Sequence, residues 1–523
     1  MVMRKMTSLF LLIALFFSTA INSYSQINTS TINGKVTNPD GWPLNGARVI
    51  AKHVPTGSLY AAITDEHGFY RLPGIESGGP YSVKVALAGF KSYTQNNIYL
   101  GLGQSLLLDV PLKIREINLK KNTGKKRTET LDSAGVDRQG QPDHNRCVVV
   151  LSMDGFRWDY PSIYHTPNLD RMARSGCRAE SLKPCYPSKT FPNHYSIATG
   201  LYPDHHGIVQ NSFYDPQLDR VFRMGDRKAV EDSIFWEGEA IWETAEKQGV
   251  KTASYFWVGT ESNNRYRPLQ RKFYEDNFPF NQQIDTVLGW LSLPAGERPR
   301  LIMFYFNEPD KTSHDFGPVS IQTKEVVGKL DKLVGYLMSG LTKISKKSPL
   351  DIDLIILSDH GMGYIPENQQ VDLEDVIDLK KIKRINGGNP VIMLEPESGY
   401  LDEMYNRLKA TPHLKTWKRN ELPAGYHYGN HLRISPLIVE ADSAWGLEIK
   451  RKAQYGSGTH GYDPDNRDMH GIFYASGPSF RKEYVQPTFE NVNIYELLAK
   501  LLNIKPVKTD GNLGAVNGML RGN

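Results

Sequence analysis

Three acidic residues stand directly after strongly apolar stretches of the sequence. Asp154 follows VVVLSM, Asp310 follows LIMFYFNEP, and Asp359 follows LIILS. Continuous apolar runs of this length predict strands of a parallel sheet that is covered on both faces. Because the carboxyl ends of such strands form the binding edge of an open α/β sheet, we expect the three carboxylates to lie close together.

Histidines accompany these carboxylates. His314 lies four residues beyond Asp310, His360 is next to Asp359, and His460 lies in the glycine-rich segment GSGTHGYDP. Taken singly, an Asp after a strand is commonly a turn former or helix cap, and a loop His is commonly a surface residue. Together, oxygen and nitrogen donors without a thiolate suit two divalent cations, zinc first, with manganese or cobalt as substitutes. Cations would also explain why three carboxylates crowd on one edge, where they would otherwise repel each other or take up protons.

A nucleophile candidate lies in the segment CYPSKTFPNHYSIATGLYP. Thr190 stands just before Pro192 and a helical run, which predicts that its hydroxyl lies at a helix amino terminus, where an anion is favoured. The ordinary alternative is a threonine that only caps the helix. A free threonine hydroxyl is a poor nucleophile near neutral pH, but a bound metal ion would lower its pKa and activate it.

The elements that must position these residues occupy 145–523. Apolar strands alternate there with amphipathic helices. One helix is predicted within TPNLDRMARSG, with Thr166 and Pro167 as its start and Gly176 as its stop. A longer helix is predicted from Ile321 to Ile344, where apolar residues recur at helical spacing. The pattern predicts an α/β domain with a mostly parallel sheet.

Residues 31–113 have a different pattern. Short alternating apolar runs are separated by turn sequences such as NPDG, DEHG and SGGP, which predicts an all-β sandwich of about seven strands. The region contains no cluster of histidines and carboxylates, so we interpret it as an accessory module with a glycan or protein partner. Residues 114–144 are charged and polar, which is typical of a linker.

The start of the chain has the pattern of a signal peptide. A cationic MVMRKM precedes the apolar SLFLLIALFF and small residues, which predicts a leader of residues 1–25. The apolar run is shorter than the ~20 residues that a membrane span needs, which disfavours the alternative of a permanent anchor. We expect a soluble mature protein in the periplasm or outside a bacterial cell, with no transmembrane segment.

Composition narrows the functional class. The chain has 523 residues, of which 40% are hydrophobic and 23% charged, so a disordered, collagen-like or coiled-coil protein is excluded. The formal net charge of +5 is spread along the chain, which argues against dedicated nucleic-acid binding. Three cysteines are too few for a disulfide scaffold, although a single bridge between Cys177 and Cys185 remains open.

Several motifs carry a resemblance to a known family. The segments are, in order, VVVLSMDGFRWDY, TPNLDRMARSG, YPSKTFPNHYSIATGLYPDHHGIVQN, EPDKTSHDFGP, LSDHGM and GTHGYDP. In order and spacing they resemble the nucleotide pyrophosphatase/phosphodiesterase family of the alkaline phosphatase superfamily. Residues 31–113, with GKVTNPDGWPLNGARV and TDEHGFYRLPGI, resemble a carboxypeptidase-regulatory-like domain. The resemblance implies an alkaline-phosphatase-like fold preceded by a small all-β sandwich.

The resemblance also implies roles for individual residues. It implies one zinc ion held by Asp310, His314 and His460, and a second held by Asp154, Asp359, His360 and the Thr190 oxygen. Thr190 would attack phosphorus and form a covalent phosphothreonine that water then hydrolyses. Asn211 would donate a hydrogen bond to a phosphoryl oxygen, together with the Thr190 backbone N–H, and Phe191 would pack on a nucleotide base. His194 and His206 are interpreted as packed or hydrogen-bonded residues.

One position departs from the family pattern. The spacing around PLQRKFYEDNFPF assigns Arg271 to the position of a second base-stacking tyrosine, with Tyr266 and Tyr274 nearby. This assignment weakens the expectation of a nucleotide substrate. We expect a secreted two-zinc hydrolase of phosphodiester or pyrophosphate bonds in small nucleotide-type molecules. The alternatives are a phosphomonoesterase on the same scaffold and a binding protein with a degenerate catalytic domain.

Overall fold

The computed structural model describes residues 29–113, 145–449 and 457–522, apart from positions 40, 42, 66, 88 and 89. The chain divides into two compact units, Met1–Arg115 and Glu116–Asn523, here called the N-terminal and the C-terminal unit. The predicted signal peptide at 1–25 and the predicted linker at 114–144 lie outside the described residues. In the described part of the chain, none of the helices combines the length and apolar character that crossing a bilayer requires.

The N-terminal unit consists of two small sheets around one apolar core. Its strands are β1 (Thr29–Thr37), β2 (Arg48–His53), β3 (Leu59–Ile63), β4 (Phe69–Glu76), β5 (Gly78–Ala86), β6 (Tyr93–Leu100), β7 (Ser105–Leu107) and β8 (Val110–Pro111). One sheet has the order β4-β1-β7, with β8 also paired to β1, and the other has the order β3-β2-β5-β6. The predicted all-β fold is confirmed.

The described residues of this unit form eight strands rather than about seven. The last apolar run is split into β7 and β8, and both pair with β1 in parallel. Between them the Asp109 carboxylate accepts a hydrogen bond from the Lys35 backbone N–H, at 2.7 Å. A side chain therefore replaces one ladder bond and interrupts what the sequence pattern presents as a single strand.

The C-terminal unit is built on one large sheet with helices on its faces. Its strands are β9 (Arg146–Met153), β10 (Cys177–Ala179), β11 (Leu182–Lys183), β12 (Ser212–Asp215), β13 (Arg220–Arg223), β14 (Thr252–Tyr255), β15 (Gln270–Lys272), β16 (Leu301–Phe306), β17 (Asp351–Leu357), β18 (Gly363–Tyr364), β19 (Gln370–Asp372), β20 (Ile382–Gly388), β21 (Val391–Pro396), β22 (Leu414–Lys418), β23 (Leu437–Ala441), β24 (Gly446–Glu448), β25 (Gly458–Thr459), β26 (Phe473–Ser476), β27 (Tyr484–Gln486) and β28 (Phe489–Glu490).

Among the described residues of this unit the helices include those that the sequence predicts. They are α1 (Tyr160–Ile163), α2 (Pro167–Ser175), α3 (Thr190–Thr199), α4 (Pro203–His206), α5 (Arg227–Glu231), α6 (Ile241–Lys247), α7 (Phe280–Leu291), α8 (Asp310–Phe316), α9 (Ile321–Lys347), α10 (Leu401–Lys409) and α11 (Asn493–Leu502). The helix predicted between Thr166 and Gly176 is α2, and the one predicted from Ile321 is α9. Ser320 caps α9, since its hydroxyl accepts a hydrogen bond from the Thr323 N–H.

The large sheet has the order β15-β14-β16-β9-β17-β26-β10-β27. Its neighbours from β15 to β17 are all parallel, whereas β26 is antiparallel to both β17 and β10. The prediction of a mostly parallel sheet is confirmed. A second sheet of order β20-β21-β23-β22 is wholly antiparallel.

The cysteines do not form the bridge that the sequence left open. Cys147, Cys177 and Cys185 are buried, and none of them forms a disulfide. The Cys185 thiol instead donates to the Asn491 side-chain oxygen at 2.9 Å. Burial raises the pKa of the Cys177 thiol to about 12, so this group is inert under ordinary conditions.

Candidate active site

Three carboxylates meet where neighbouring strands of the large sheet end. Asp154 follows β9, Asp359 follows β17 by two residues, and Asp310 is the first residue of α8 after β16. The strands β16, β9 and β17 are adjacent in the sheet, and at their carboxyl ends Phe306 pairs with Met153 and Leu357 pairs with Ser152. The expected convergence of the three side chains is therefore present, and Asp154 and Asp359 are fully buried.

Imidazoles and the Thr190 hydroxyl complete two groups of donor atoms. In the first group, the Asp310 Oδ1 atom lies 3.4 Å from His314 Nε2 and 3.6 Å from His460 Nε2. The second group surrounds His360 Nε2, which lies 3.0 Å from Asp359 Oδ2, 3.4 Å from Asp154 Oδ1 and 3.2 Å from Thr190 Oγ1. The rings of His360 and His460 stack at 3.6 Å, so the two groups are contiguous.

The donor atoms fit divalent cations because they otherwise face one another as acceptors. The Nδ1 atoms of His314, His360 and His460 each lie 2.8 Å from a backbone carbonyl, which can only accept a hydrogen bond. Each Nδ1 therefore carries the proton, and in a neutral ring the Nε2 lone pair points at carboxylate oxygen. The atoms Asp154 Oδ1, Asp310 Oδ1 and Asp359 Oδ2 are buried without any hydrogen-bond partner. Two cations, one in each group, would satisfy these lone pairs.

The pKa values of the buried carboxylates are shifted by their crowding. Burial raises the pKa of Asp154 well above its usual range, and the neighbouring Asp359 and Asp310 carboxylates raise it further. Burial also opposes ionisation of Asp359, but His360 and His194 outweigh it and hold the pKa of that carboxyl well below its usual range. The two pKa values move apart because neighbouring buried carboxylates resist ionising together, and the imidazoles favour the charge on Asp359.

Thr190 is the first residue of helix α3, as the sequence predicts. At this position its backbone N–H has no partner within the helix, and the helix dipole favours an incoming anion. The Asn211 side-chain oxygen accepts a hydrogen bond from the Phe191 N–H at 2.9 Å. This contact ties Asn211 to the start of α3 and leaves its NH₂ group as the donor available to a ligand.

His194 and His206 are hydrogen-bonded within the protein, as interpreted from the sequence. His194 Nδ1 lies 3.0 Å from the Thr190 carbonyl and 3.2 Å from Asp359 Oδ2, and its Nε2 lies 2.8 Å from the Ser152 hydroxyl. His194 therefore packs between Asp359 and the helix that carries Thr190. His206 Nε2 lies 2.9 Å from the Ser196 hydroxyl, far along the same helix.

Tyr305 is a site residue that the sequence reasoning missed. Its hydroxyl donates to Asp154 Oδ2 at 2.5 Å, and its ring lines the cleft beside the donor groups. Because Tyr305 belongs to the apolar run LIMFYF, the sequence predicts only a buried strand residue at this position. A tyrosine at the carboxyl end of a strand that precedes a candidate ligand is a weak signal, and only the pairing of β16 with β9 gives it a role.

A cleft of about 680 Å³ opens beside Thr190. Its floor includes Asp154, Asp310 and His314, and its walls include the aromatic side chains of Phe191 and Tyr274. The cleft therefore combines candidate cation ligands with aromatic surface, in a volume that suits a small organic phosphate.

Comparisons with known proteins agree with this arrangement. The family model described as type I phosphodiesterase / nucleotide pyrophosphatase matches residues 148–463, and the carboxypeptidase regulatory-like domain matches residues 31–113. The chain is 35% identical over 386 residues to a venom phosphodiesterase of Naja atra, covering 72% of this chain and 46% of the relative. It is likewise 35% identical over 386 residues to ectonucleotide pyrophosphatase/phosphodiesterase family member 3 of Bos taurus, covering 72% and 44%.

The chain belongs to the type I phosphodiesterase / nucleotide pyrophosphatase family. Among solved structures, murine ectonucleotide pyrophosphatase/phosphodiesterase 5 superposes with a TM-score of 0.69 at 31% identity, covering 72% of this chain and 100% of that one. A second structure of that murine protein is an inactive threonine-to-alanine variant in complex with AMP. The present chain spans less than half the length of the curated relatives it matches.

Within this family member, the assignment of Arg271 to the second aromatic position is wrong. Tyr274 lines the cleft together with Phe191, whereas Arg271 does not. The Arg271 guanidinium donates to the carbonyls of Thr260 and Ser262, at 3.2 Å each. Arg271 lies within β15, where it pairs with β14, whereas Tyr274 follows the carboxyl end of that strand, at the edge of the sheet where the cleft opens.

Proposed function

We propose that this chain is a metal-dependent hydrolase that cleaves phosphodiester or pyrophosphate bonds of nucleotides through Thr190. One observation carries the proposal: three buried carboxylate oxygens without hydrogen-bond partners and three imidazole Nε2 atoms converge beside the Thr190 hydroxyl. The family relationship supports the same reaction class.

The residues divide naturally between two metal ions. Asp310, His314 and His460 would hold one, and Asp154, Asp359, His360 and the Thr190 oxygen would hold the other. Oxygen and nitrogen donors without thiolate favour zinc, with manganese or cobalt as substitutes. When bound, the two ions lower the pKa of the attacking hydroxyl and neutralise charge on the attacking and leaving oxygens.

The chain's own residues then perform two displacements. Thr190 Oγ attacks phosphorus and forms a phosphothreonine ester while the bond from phosphorus to the leaving oxygen breaks. Water next attacks the phosphothreonine, which releases the phosphoryl product and restores the Thr190 hydroxyl. The Asn211 NH₂ group and the Thr190 backbone N–H donate to a non-bridging oxygen, whose negative charge grows during each attack.

The aromatic walls favour a nucleotide as the organic group. Phe191 and Tyr274 line one cleft, so a planar base can pack between aromatic faces beside the reacting phosphate. The complex of a solved relative with AMP supports this preference. The correction of Arg271 to Tyr274 removes the sequence-based objection to a nucleotide substrate.

We also propose the domain organisation that the sequence predicts. Residues 1–25 direct export and are removed, 31–113 form an accessory sandwich, 114–144 link the units, and 145–523 carry the hydrolase. The mature enzyme would act in the periplasm or outside the cell, where small nucleotide substrates are its partners.

A pair of threonine variants tests the nucleophile. Thr190→Ala should lower the turnover rate of a p-nitrophenyl nucleotide diester by at least about 1000-fold, while two metal ions remain bound. Thr199→Ala, the same change at the other end of α3 and roughly 13 Å away along the helix, should keep turnover. Undiminished turnover in Thr190→Ala would disprove the assignment.

A comparison of substrates tests the reaction class. We expect kcat/KM for the nucleotide diester to exceed that for p-nitrophenyl phosphate by orders of magnitude. The reverse preference would make the protein a phosphomonoesterase on this scaffold. Metal binding without turnover of either substrate would favour a degenerate enzyme that only binds its ligand.

A further inference from the structure

The outer face of the β3-β2-β5-β6 sheet in the N-terminal unit is unlike an ordinary solvated face. Alternate residues of these strands are buried in the core, as Val49, Ala51, Val83 and Val85 are. The intervening residues point outward, and strand pairing places Arg48 opposite Ile63 and Lys52 opposite Leu59. Each of these two cations on β2 therefore has an aliphatic side chain of the edge strand β3 beside it.

Large apolar side chains on this face are exposed. Leu59 and Ile63 on the edge strand β3 are 66% and 69% exposed. Tyr99 on β6 is 65% exposed, and Val54, just beyond β2, is 55% exposed. The Val54 N–H donates to the Pro80 carbonyl, so the ladder between β2 and β5 continues to this residue. On β3 the exposed residues Leu59, Ala61 and Ile63 form an uninterrupted apolar row along the edge of the sheet, which is typical of a contact surface.

The charge on this face has one sign. The strands β2, β3, β5 and β6 contain no aspartate or glutamate, whereas Arg48, Lys52 and Lys84 are all exposed on them. Within the described residues, none of these three cations forms an ion pair. In the register of β2 with β5, Arg48 faces Ala86 and Lys52 faces Ser82, so the cations have small or neutral neighbours.

We propose that this face, defined by Arg48, Lys52, Lys84, Leu59 and Ile63, binds the surface of an anionic lipid bilayer. Cations would lie among the lipid phosphates, and the aliphatic side chains would enter the boundary between headgroups and acyl chains. A glycan is the weaker occupant, because sugar rings pack on flat aromatic surfaces and the apolar side chains exposed on the edge strand β3 are aliphatic. The inference goes beyond the proposed hydrolase function and does not depend on it.

Vesicle binding tests the proposal. Protein that begins at Gln26 excludes the apolar segment near the start of the chain from the measurement. It should sediment with vesicles that contain phosphatidylglycerol, not with pure phosphatidylcholine vesicles, and binding should weaken as salt rises. Each cation near an anionic surface contributes roughly fivefold to affinity, so Arg48→Gln/Lys52→Gln should bind on the order of 30-fold more weakly.

A matched pair on the other sheet provides the control. Lys35→Gln/Arg71→Gln removes two cations from β1 and β4 and should leave vesicle binding within about twofold of the parent protein. Leu59→Ser/Ile63→Ser should weaken binding without changing thermal unfolding, because both residues are already exposed. Hydrolysis of a soluble nucleotide diester should be unchanged in all of these variants.

Several results would overturn the proposal. They are equal binding to both kinds of vesicle, no binding to either, and unchanged binding in Arg48→Gln/Lys52→Gln. Retention on an immobilised acidic polysaccharide without vesicle binding would assign the face to a glycan instead. None of these measurements monitors hydrolysis. A negative result would therefore contradict the membrane-binding proposal without contradicting the proposed enzymatic function.

Discussion

Replacing Tyr305 by Phe should weaken metal binding while leaving the fold intact. The substitution removes one hydroxyl, whose hydrogen bond to Asp154 Oδ2 spans 2.5 Å, and keeps the buried ring. A hydrogen bond to a charged group contributes about 1.5–3 kcal/mol, which corresponds to a roughly 10- to 100-fold loss of metal affinity. Losses of this size are typical when a partner of a metal ligand is removed.

The loss should depend on pH in a defined direction. The Tyr305 bond lowers the pKa of Asp154, against burial and neighbouring carboxylates that raise it. Without the bond the carboxyl holds its proton up to a higher pH, and that proton competes with the metal. Tyr305→Phe should therefore lose more affinity, relative to the parent protein, at pH 6 than at pH 8.

Competition with a chromophoric chelator measures this effect. Protein stripped of metal is titrated with zinc at both pH values, and Tyr274→Phe is the matched control. The Tyr274 hydroxyl also lines the cleft but bonds to Asn307 and Asp276, so its removal should leave zinc affinity unchanged. Zinc affinity of Tyr305→Phe within about twofold of the parent at both pH values would refute the reasoning.

Three other predictions follow from the same geometry. Asn211→Ala should lower kcat by roughly 100- to 1000-fold with little change in KM, and a change confined to KM would contradict its role on the phosphoryl oxygen. Phe191→Ala should raise KM for a nucleotide diester by roughly 5- to 100-fold, but not for a methyl p-nitrophenyl diester that has no base. Burial raises the pKa of Glu440 to about 7, so the folded state holds this proton more tightly than the unfolded chain does. The native fold thus loses about 3 kcal/mol as pH rises from about 4.5 to above 7, and Glu440→Gln should gain roughly 2.5 kcal/mol relative to the parent between pH 5 and pH 8. Urea unfolding at the two pH values measures this gain, and an equal difference at both would contradict it.

The sequence by itself determined features that depend on neighbouring residues. Asp154, Asp310 and Asp359 were predictable as strand-end carboxylates because each apolar run and its end are visible within ten residues. The start of α3 at Thr190 was predictable for the same reason, since Pro192 and the helical run mark it locally. The all-β and mostly parallel α/β regions follow from periodicity, which local steric and burial preferences impose.

Only the tertiary structure decided which residues touch. The order β16-β9-β17 makes the three carboxylates neighbours, and the pairing of Tyr305 with Ser152 brings the tyrosine hydroxyl to Asp154. Tyr274 rather than Arg271 reaches the cleft because Arg271 is held within β15 by its pairing with β14, whereas Tyr274 lies just beyond the carboxyl end of that strand. These contacts join residues far apart in the chain, and their geometry follows from register and packing, to which local sequence preference contributes little.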